Sequence, residues 1–269
     1  FELVQRELLT ADFEELSKNF QINIHKTVAG QDKGGFVIKD AIEIEKYLGN
    51  EQSVVEIPYF VDSIGKNAFV GHREINKIVL NEKLKNIEAG ASALCFGLKE
   101  INLVDSLRYI GKEAFRNTHL KSVVIPSKLK KISESTFAMC TSLEEITISE
   151  GVEIIEPKAF ANSKVRKVRI PQSLKEIGSS AFLSCDYLQD INIKESNVEI
   201  VGPSAFKGCI RLKEINLPKS LLVIGHSAFE KCSNLRSIYI PASTLEIGTG
   251  AFAECYNLVS IEVDKENKV

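Results

Sequence analysis

The chain has 269 residues, of which 44% are hydrophobic and 26% are charged, the proportions of a globular protein and not of a disordered or collagen-like one. Its 34 lysines and arginines against 36 aspartates and glutamates leave a net charge of −2, which excludes a general binder of nucleic acid. No stretch approaches the ~18 apolar residues of a membrane helix, so we expect no membrane insertion.

Residues 1–51 lack the period that organises the rest of the chain, and we interpret them as an N-terminal cap of helical and hairpin structure. Asp12 is a typical helix N-cap residue. The apolar residues that follow it at near-helical spacing are Phe13, Leu16 and Phe20. Residues 36–47 alternate well enough to predict a hairpin that turns around Lys39 and Asp40. Such a cap would cover the first edge of a repeat array.

Residues 52–269 contain tandem repeats, most visible as a recurring Ala-Phe dipeptide. The phenylalanines are Phe69, Phe115, Phe137, Phe160, Phe182, Phe206, Phe229 and Phe252, and Ser92 takes the equivalent place in one copy. Successive copies are 22 to 24 residues apart. A branched apolar residue stands five positions before most of these sites, and an LxxIxI phrase with strand periodicity follows each one. Nine copies are visible.

A unit of this size cannot bury its own apolar face, so neighbouring units must stack. We predict a leucine-rich-repeat-like, mostly β solenoid: a right-handed stack of about nine ~23-residue units with parallel sheets. The Ala-Phe segment is predicted to form a short helical turn, and the LxxIxI strands to form one continuous sheet face. Only six residues follow Val263. We therefore expect that the solenoid is truncated at its C-terminal end, with end-to-end self-association through the uncapped coil.

These phrases, LxxIxIP, a branched residue with Gly, and AFxxCxxL, together resemble the BspA-like, or Treponema pallidum type, subclass of leucine-rich repeat proteins. The resemblance covers about residues 52–263. It implies a bacterial or protist protein that is secreted or displayed on the cell surface and that attaches to host proteins or to other cells.

The six cysteines all follow the Phe position by three residues. They are Cys95, Cys140, Cys185, Cys209, Cys232 and Cys255. The other copies hold His72, Thr118 or Ser163 in this slot, which favours a small, partly buried packing site. Disulfide bonds and zinc ligation remain alternatives, although stacked thiols point in parallel and the sequence has no CxxC.

The outward positions of the LxxIxI strands carry charges of both signs, as at Glu145, Lys167 and Asp190. This pattern favours a soluble face that neutralises its own charge. The alternative is a polar docking strip with one aromatic anchor, because Arg and Tyr are enriched at interface hot spots. The strip would consist of Lys164, Arg166, Lys167, Arg169, Asn192, Asn216, Arg236 and Tyr239.

The sequence has no motif for a catalytic nucleophile, a metal centre or a phosphate loop, so we predict neither an enzyme nor a cofactor. Our leading hypothesis is a noncatalytic protein-binding domain, which mediates adhesion or attachment through the exposed sheet face. The expected partner is a protein of unknown identity, with host extracellular proteins as one class. The alternative function is a structural spacer or scaffold that presents a separate domain.

Overall fold

The computed structural model describes residues 20–24, 42–49 and 52–268. The regular elements of these residues are 21 short β-strands, and no helix occurs among them. From residue 54 onward, each coil of the chain contributes one strand to a first series and one strand to a second series.

The first series consists of the LxxIxI strands: β3 (Val54–Glu56), β5 (Lys77–Val79), β7 (Glu100–Ile101), β9 (Ser122–Ile125), β11 (Glu145–Ile148), β13 (Lys167–Arg169), β15 (Asp190–Ile191), β17 (Glu214–Ile215), β19 (Ser237–Ile240) and β21 (Ser260–Val263). The second series consists of shorter strands: β4 (Val61–Ile64), β6 (Asn86–Ile87), β8 (Tyr109–Ile110), β10 (Lys131–Ile132), β12 (Ile154–Ile155), β14 (Glu176–Ile177), β16 (Ile200–Val201), β18 (Val223–Ile224) and β20 (Glu246–Ile247).

Paired strands within each series are parallel, and their register places equivalent residues of successive coils side by side. Glu145 of β11 pairs with Lys167 of β13, which in turn pairs with Asp190 of β15. In the second series, Ile155 pairs with Ile177, and Ile177 pairs with Val201. The prediction of a parallel solenoid is therefore confirmed, with about ten coils counted along the first series.

The expectation of one continuous sheet face is wrong, because the first series forms three hydrogen-bonded sheets. They are β3-β5-β7, β9-β11-β13-β15 and β17-β19-β21. The break between β15 and β17 coincides with the longest coil, in which 24 residues separate Phe182 from Phe206. The second series continues across this level through β14, β16 and β18, so the coils stay joined there.

The Ala-Phe segments are successive hydrogen-bonded turns and not the short helical turns expected. In each copy, the residues two before and two after the Phe position have positive φ angles, as at Ser180 (56°) and Ser184 (52°) around Phe182. Left-handed residues interrupt a right-handed helix, which explains the difference. The backbone amides of this turn donate hydrogen bonds to backbone carbonyls of the next coil. The bonds are Ser180 to Pro203 (2.8 Å), Phe182 to Ala205 (2.8 Å) and Ser184 to Lys207 (2.7 Å). The turns thus form a third hydrogen-bonded ladder.

The core consists of columns of equivalent side chains that run the length of the stack. Six successive pairs of phenylalanine rings, from Phe115–Phe137 to Phe229–Phe252, have centroids 5.2 to 5.6 Å apart and planes within 13° of parallel. Buried Ser92 takes the place of a ring between Phe69 and Phe115. Ring stacking in this column keeps successive coils aligned, and this alignment fixes the relative positions of their outward-facing residues.

The N-terminal strands β1 (Phe20–Ile24) and β2 (Ile42–Tyr47) are antiparallel to each other, and β2 continues the second series by pairing in parallel with β4. Phe20, expected in a helix, begins β1, while the rest of the predicted helix and the turn at residues 39 and 40 lie outside the described residues. Tyr47 is buried with its ring 5.2 Å from that of Phe69. It extends the aromatic column, and the boundary between residues 51 and 52 stays a prediction.

Candidate protein-binding face

The cysteine slot is an internal packing site, as expected, and the structure adds a polar contact. Each thiol donates a hydrogen bond to the backbone carbonyl of the Phe position in a preceding coil, as from Cys185 Sγ to Phe160 O at 3.1 Å. The same bond recurs for the other five cysteines at 2.8 to 3.3 Å. Ser163 also reaches the Phe160 carbonyl, which explains why the slot accepts a hydroxyl.

Burial makes these thiols poor nucleophiles and poor metal ligands. Desolvation raises the pKa of Cys140 to about 11 and that of Cys185 to about 12. All six cysteines are free thiols. In the described part of the chain, no group of three or more His, Cys, Asp or Glu side chains could hold a metal ion.

The outward positions of the first series form the face on which the docking strip was predicted. Along each strand, buried and exposed residues alternate, as in β11, where Ile146 and Ile148 are buried while Glu145 and Thr147 are exposed. We call this surface the first-series face. It consists of the exposed side chains of the first-series strands and of the residues that directly precede or follow these strands.

The eight residues of the predicted strip lie on this face but have different local partners. Lys167 and Arg169 both approach Asp190, each with a nitrogen 3.9 Å from its carboxylate. Asn192 Oδ1 accepts a hydrogen bond from the Ile170 amide at 3.0 Å, and the Tyr239 hydroxyl donates to the Asp264 carboxylate. Asn216 and Arg236 are exposed and form no such contact with the described residues.

The other two members, Lys164 and Arg166, belong to a compact cluster of cations around Tyr187. The Arg211 guanidinium lies 4.4 Å from the centre of the Tyr187 ring, that of Arg166 lies 5.6 Å away, and the Lys164 ammonium lies 5.7 Å away. Attraction between a cation and an aromatic face operates at these distances. We call these four residues the Tyr187 cluster.

The Tyr187 cluster results directly from the stacking of coils. Lys167 pairs with Asp190 in the sheet, so Lys164 and Tyr187, each three residues earlier, occupy equivalent positions. Arg211 stands in the same place one coil further on, three residues before β17. Sequence analysis included Lys164 in the strip but missed Tyr187 and Arg211, because it did not follow the column of Lys164 into the next two coils. The column immediately before the first apolar residue of each strand would have revealed them.

A groove of about 640 Å³ adjoins the cluster on its N-terminal side. Its lining combines cationic, anionic and hydroxyl side chains with one aromatic ring: Lys121, Ser122, Thr141, Ser142, Glu144, Glu145, Lys164, Arg166 and Tyr187. Glu144 lies 3.8 Å from Arg166, and both side chains are at least half exposed. The groove is therefore lined by exposed charged side chains and bordered by the cluster cations.

In the second series, as at Lys167 and Asp190 in the first, lysines pair with carboxylates of successive coils, and the distances are shorter. Glu153 accepts from Lys130 at 3.4 Å and from Lys175 at 3.1 Å, and Lys131 reaches Glu156 at 2.6 Å. By contrast, Lys164 and Arg211 form no ion pair with any carboxylate of the described residues.

The described part of the chain contains no helix with the length and apolar character needed to cross a bilayer.

The stacked coils, the two series of parallel strands and the columns of equivalent side chains define a leucine-rich-repeat-like β-solenoid. The family model described as BspA type leucine-rich repeat region, with 6 copies, matches residues 62–189 and 175–269. The chain therefore belongs to the BspA-type leucine-rich repeat family, as its sequence resemblance implied.

Two crystal structures show the same fold. A leucine-rich repeat protein of Treponema pallidum has a TM-score of 0.54 and 24% identity, over 90% of this chain and 89% of that chain. A leucine-rich cell surface protein of Faecalibacterium prausnitzii has a TM-score of 0.51 and 20% identity, over 83% of this chain and 90% of that chain. A comparison with curated proteins gives no match.

Proposed function

We propose that this protein is a noncatalytic binding module of a bacterial surface or secreted protein, and that its first-series face holds a protein partner during adhesion or attachment. The observation that carries the proposal is the Tyr187 cluster, where three cations gather on one exposed edge with little compensation. Arg and Tyr are the residue types that most often dominate binding energy at protein interfaces.

Two further observations support this proposal. The matching family model describes a repeat region and no catalytic domain, and repeat stacks present extended rigid surfaces suited to large partners. The Faecalibacterium prausnitzii protein of the same fold is described as a cell surface protein. Location at the cell surface is accordingly part of the proposal for this chain.

Charge reversal on the first-series face tests the proposal. The triple variant Arg166→Glu, Lys167→Glu and Arg169→Glu would be measured by surface plasmon resonance against immobilised host extracellular-matrix proteins. We expect at least tenfold weaker binding to any protein that the native chain captures. The matched control reverses Arg108, Lys112 and Lys128, three exposed cations outside this face, and should leave binding within twofold.

The alternative function is a structural spacer, which is favoured by the ion pairs that join successive coils in both series, because those charges are compensated within the protein. Equal capture by the native chain and by the folded triple variant would support that alternative and contradict the proposed role of the face. Circular dichroism would confirm folding, which the triple reversal should preserve because the exposed pairs with Asp190 contribute only ~0–1 kcal/mol each.

A further inference from the structure

Two cations of the Tyr187 cluster, Lys164 and Arg211, lie against the aromatic ring without an ion pair to any carboxylate of the described residues. The Tyr187 ring has the Arg211 guanidinium at 4.4 Å and the Lys164 ammonium at 5.7 Å, so both charges are oriented by the same aromatic side chain. Within residues 52–268 neither cation has a carboxylate partner, and both are exposed. An anionic group from outside the chain would therefore find positioned donors that need not abandon an existing ion pair.

Carboxylates occupy the neighbouring coil on the N-terminal side. Glu144 and Glu145 line the groove beside the cluster, and the Glu144 side chain is 59% exposed. The contact of Glu144 with Arg166 at 3.8 Å is a weak surface ion pair. A uniformly anionic polymer that extended along the stack from the cluster would be repelled by these two carboxylates, whereas a segment with charges of both signs would not.

The spacing of the coils sets the spacing of the complementary charges. Parallel strands lie ~4.8 Å apart, so the three coil steps from Glu145 to Arg211 span about 14 Å. An extended peptide advances about 3.3 Å per residue and covers this span in roughly four residues.

We propose that the edge formed by Glu144, Glu145 and the Tyr187 cluster binds an extended protein segment of mixed charge. One or two acidic side chains of the segment contact Lys164 and Arg211, and a basic side chain about four residues away contacts Glu144 and Glu145. This inference rests on the proposed function and specifies the chemistry of the partner.

Short synthetic peptides test the charge order without requiring the native partner. The probe is a peptide of glycine and serine that carries one lysine and, four residues away, two adjacent glutamates, prepared in both chain directions. The uniformly acidic control has glutamate in place of the lysine. The two mixed peptides and the acidic control are each titrated into the ¹⁵N-labelled protein at low ionic strength, where surface electrostatics are least screened.

We expect one direction of the mixed peptide to shift amides of the coils that contain β11, β13, β15 and β17, with at least threefold tighter binding than the acidic control. Arg211→Gln should weaken the mixed peptide at least threefold. The double variant Glu144→Gln and Glu145→Gln should remove its preference over the acidic control. The matched variant Arg108→Gln, on the second-series side, should bind like the native protein.

Equal or tighter binding of the acidic peptide, or of a heparin-type sulfated oligosaccharide, would overturn the inference in favour of a general anion site. The absence of shifts at these coils with either peptide would overturn it as well. The proposed function would survive both results if the charge-reversed triple variant still lost partner capture, so the two ideas fail separately.

Discussion

At the scale of single residues, the cysteine slot shows how one coil satisfies the backbone of another. The Phe160 carbonyl accepts from the Ser163 amide and hydroxyl of its own coil and from the Cys185 thiol of the next. The sequence predicts the small, buried character of the slot, because Cys, Thr and Ser replace one another there. It could not predict the acceptor, which is a backbone atom more than twenty residues away.

Because these thiols are buried, we expect the free energy of unfolding to decrease at alkaline pH. The pKa of Cys140 is raised by desolvation from 9.0 to about 11, so the unfolded chain loses this proton at lower pH than the native protein does. The contribution of Cys140 is fully present below pH 9 and is lost as the pH rises toward 11. We expect the urea midpoint to fall over this interval.

Cys140→Thr is the matched variant, because Thr118 occupies the same slot in the preceding coil. It should fold and should lose less stability between pH 9 and 11 than the native protein, since the tyrosines and lysines that also titrate are common to both. Equal slopes of unfolding free energy against pH in the two proteins would contradict the assignment of this dependence to Cys140.

At the scale of elements, alternation of apolar and polar residues is sufficient to predict the first-series strands, because one face of each is buried. The conformation of the Ala-Phe turns is harder to predict from the sequence. Their left-handed positions hold residues as different as Lys158, Ser180 and Glu254, which carry no common sequence signal for a positive φ. The hydrogen bonds between turns of successive coils impose the positive φ angles. Because these bonds are not visible in the local sequence, that sequence alone predicts a helical turn.

Substitution of Lys158 by glycine tests the energetic cost of the positive φ angle in these turns. The φ of Lys158 is 58°, a region that costs a residue with a Cβ about 1–2 kcal/mol and costs glycine nothing comparable. We expect Lys158→Gly to raise the free energy of unfolding by about 0.5–1 kcal/mol in urea denaturation, after the greater entropy of the unfolded glycine chain is subtracted.

Lys99→Gly is the control, because Lys99 is an exposed lysine whose φ is not positive. This substitution should lower stability by about 0.5–1 kcal/mol. Destabilisation of similar size at both positions would show that the turn conformation imposes no strain on Lys158.

At the scale of the whole molecule, the ~23-residue period predicts a stack because equivalent apolar residues must share one core. The same period would have placed Tyr47 in the aromatic column, since it stands 22 residues before Phe69. The breaks in the first series and the Tyr187 cluster were not predicted. Both depend on how neighbouring coils align at positions that single strands do not reveal.

The Tyr187 cluster and the phenylalanine column both result from the stacking of coils, which brings equivalent residues of successive coils together at the spacing of parallel strands. The binding face therefore depends on the stack remaining in register, and the proposed partner chemistry depends on distances that only a regular stack provides. The rise per coil is accordingly the quantity on which fold and function both depend.

Pulsed electron spin resonance between pairs of spin labels measures that rise directly. Glu262 is labelled in each protein, together with Arg169, Val124 or Val79 from the same outward column, and Cys255, the partly exposed thiol, is replaced by serine. With ~4.8 Å per coil, separations of four, six and eight coils predict distances of about 19, 29 and 38 Å. Distances that grow in proportion to coil number would confirm the stack, whereas distances that level off or change order would contradict it.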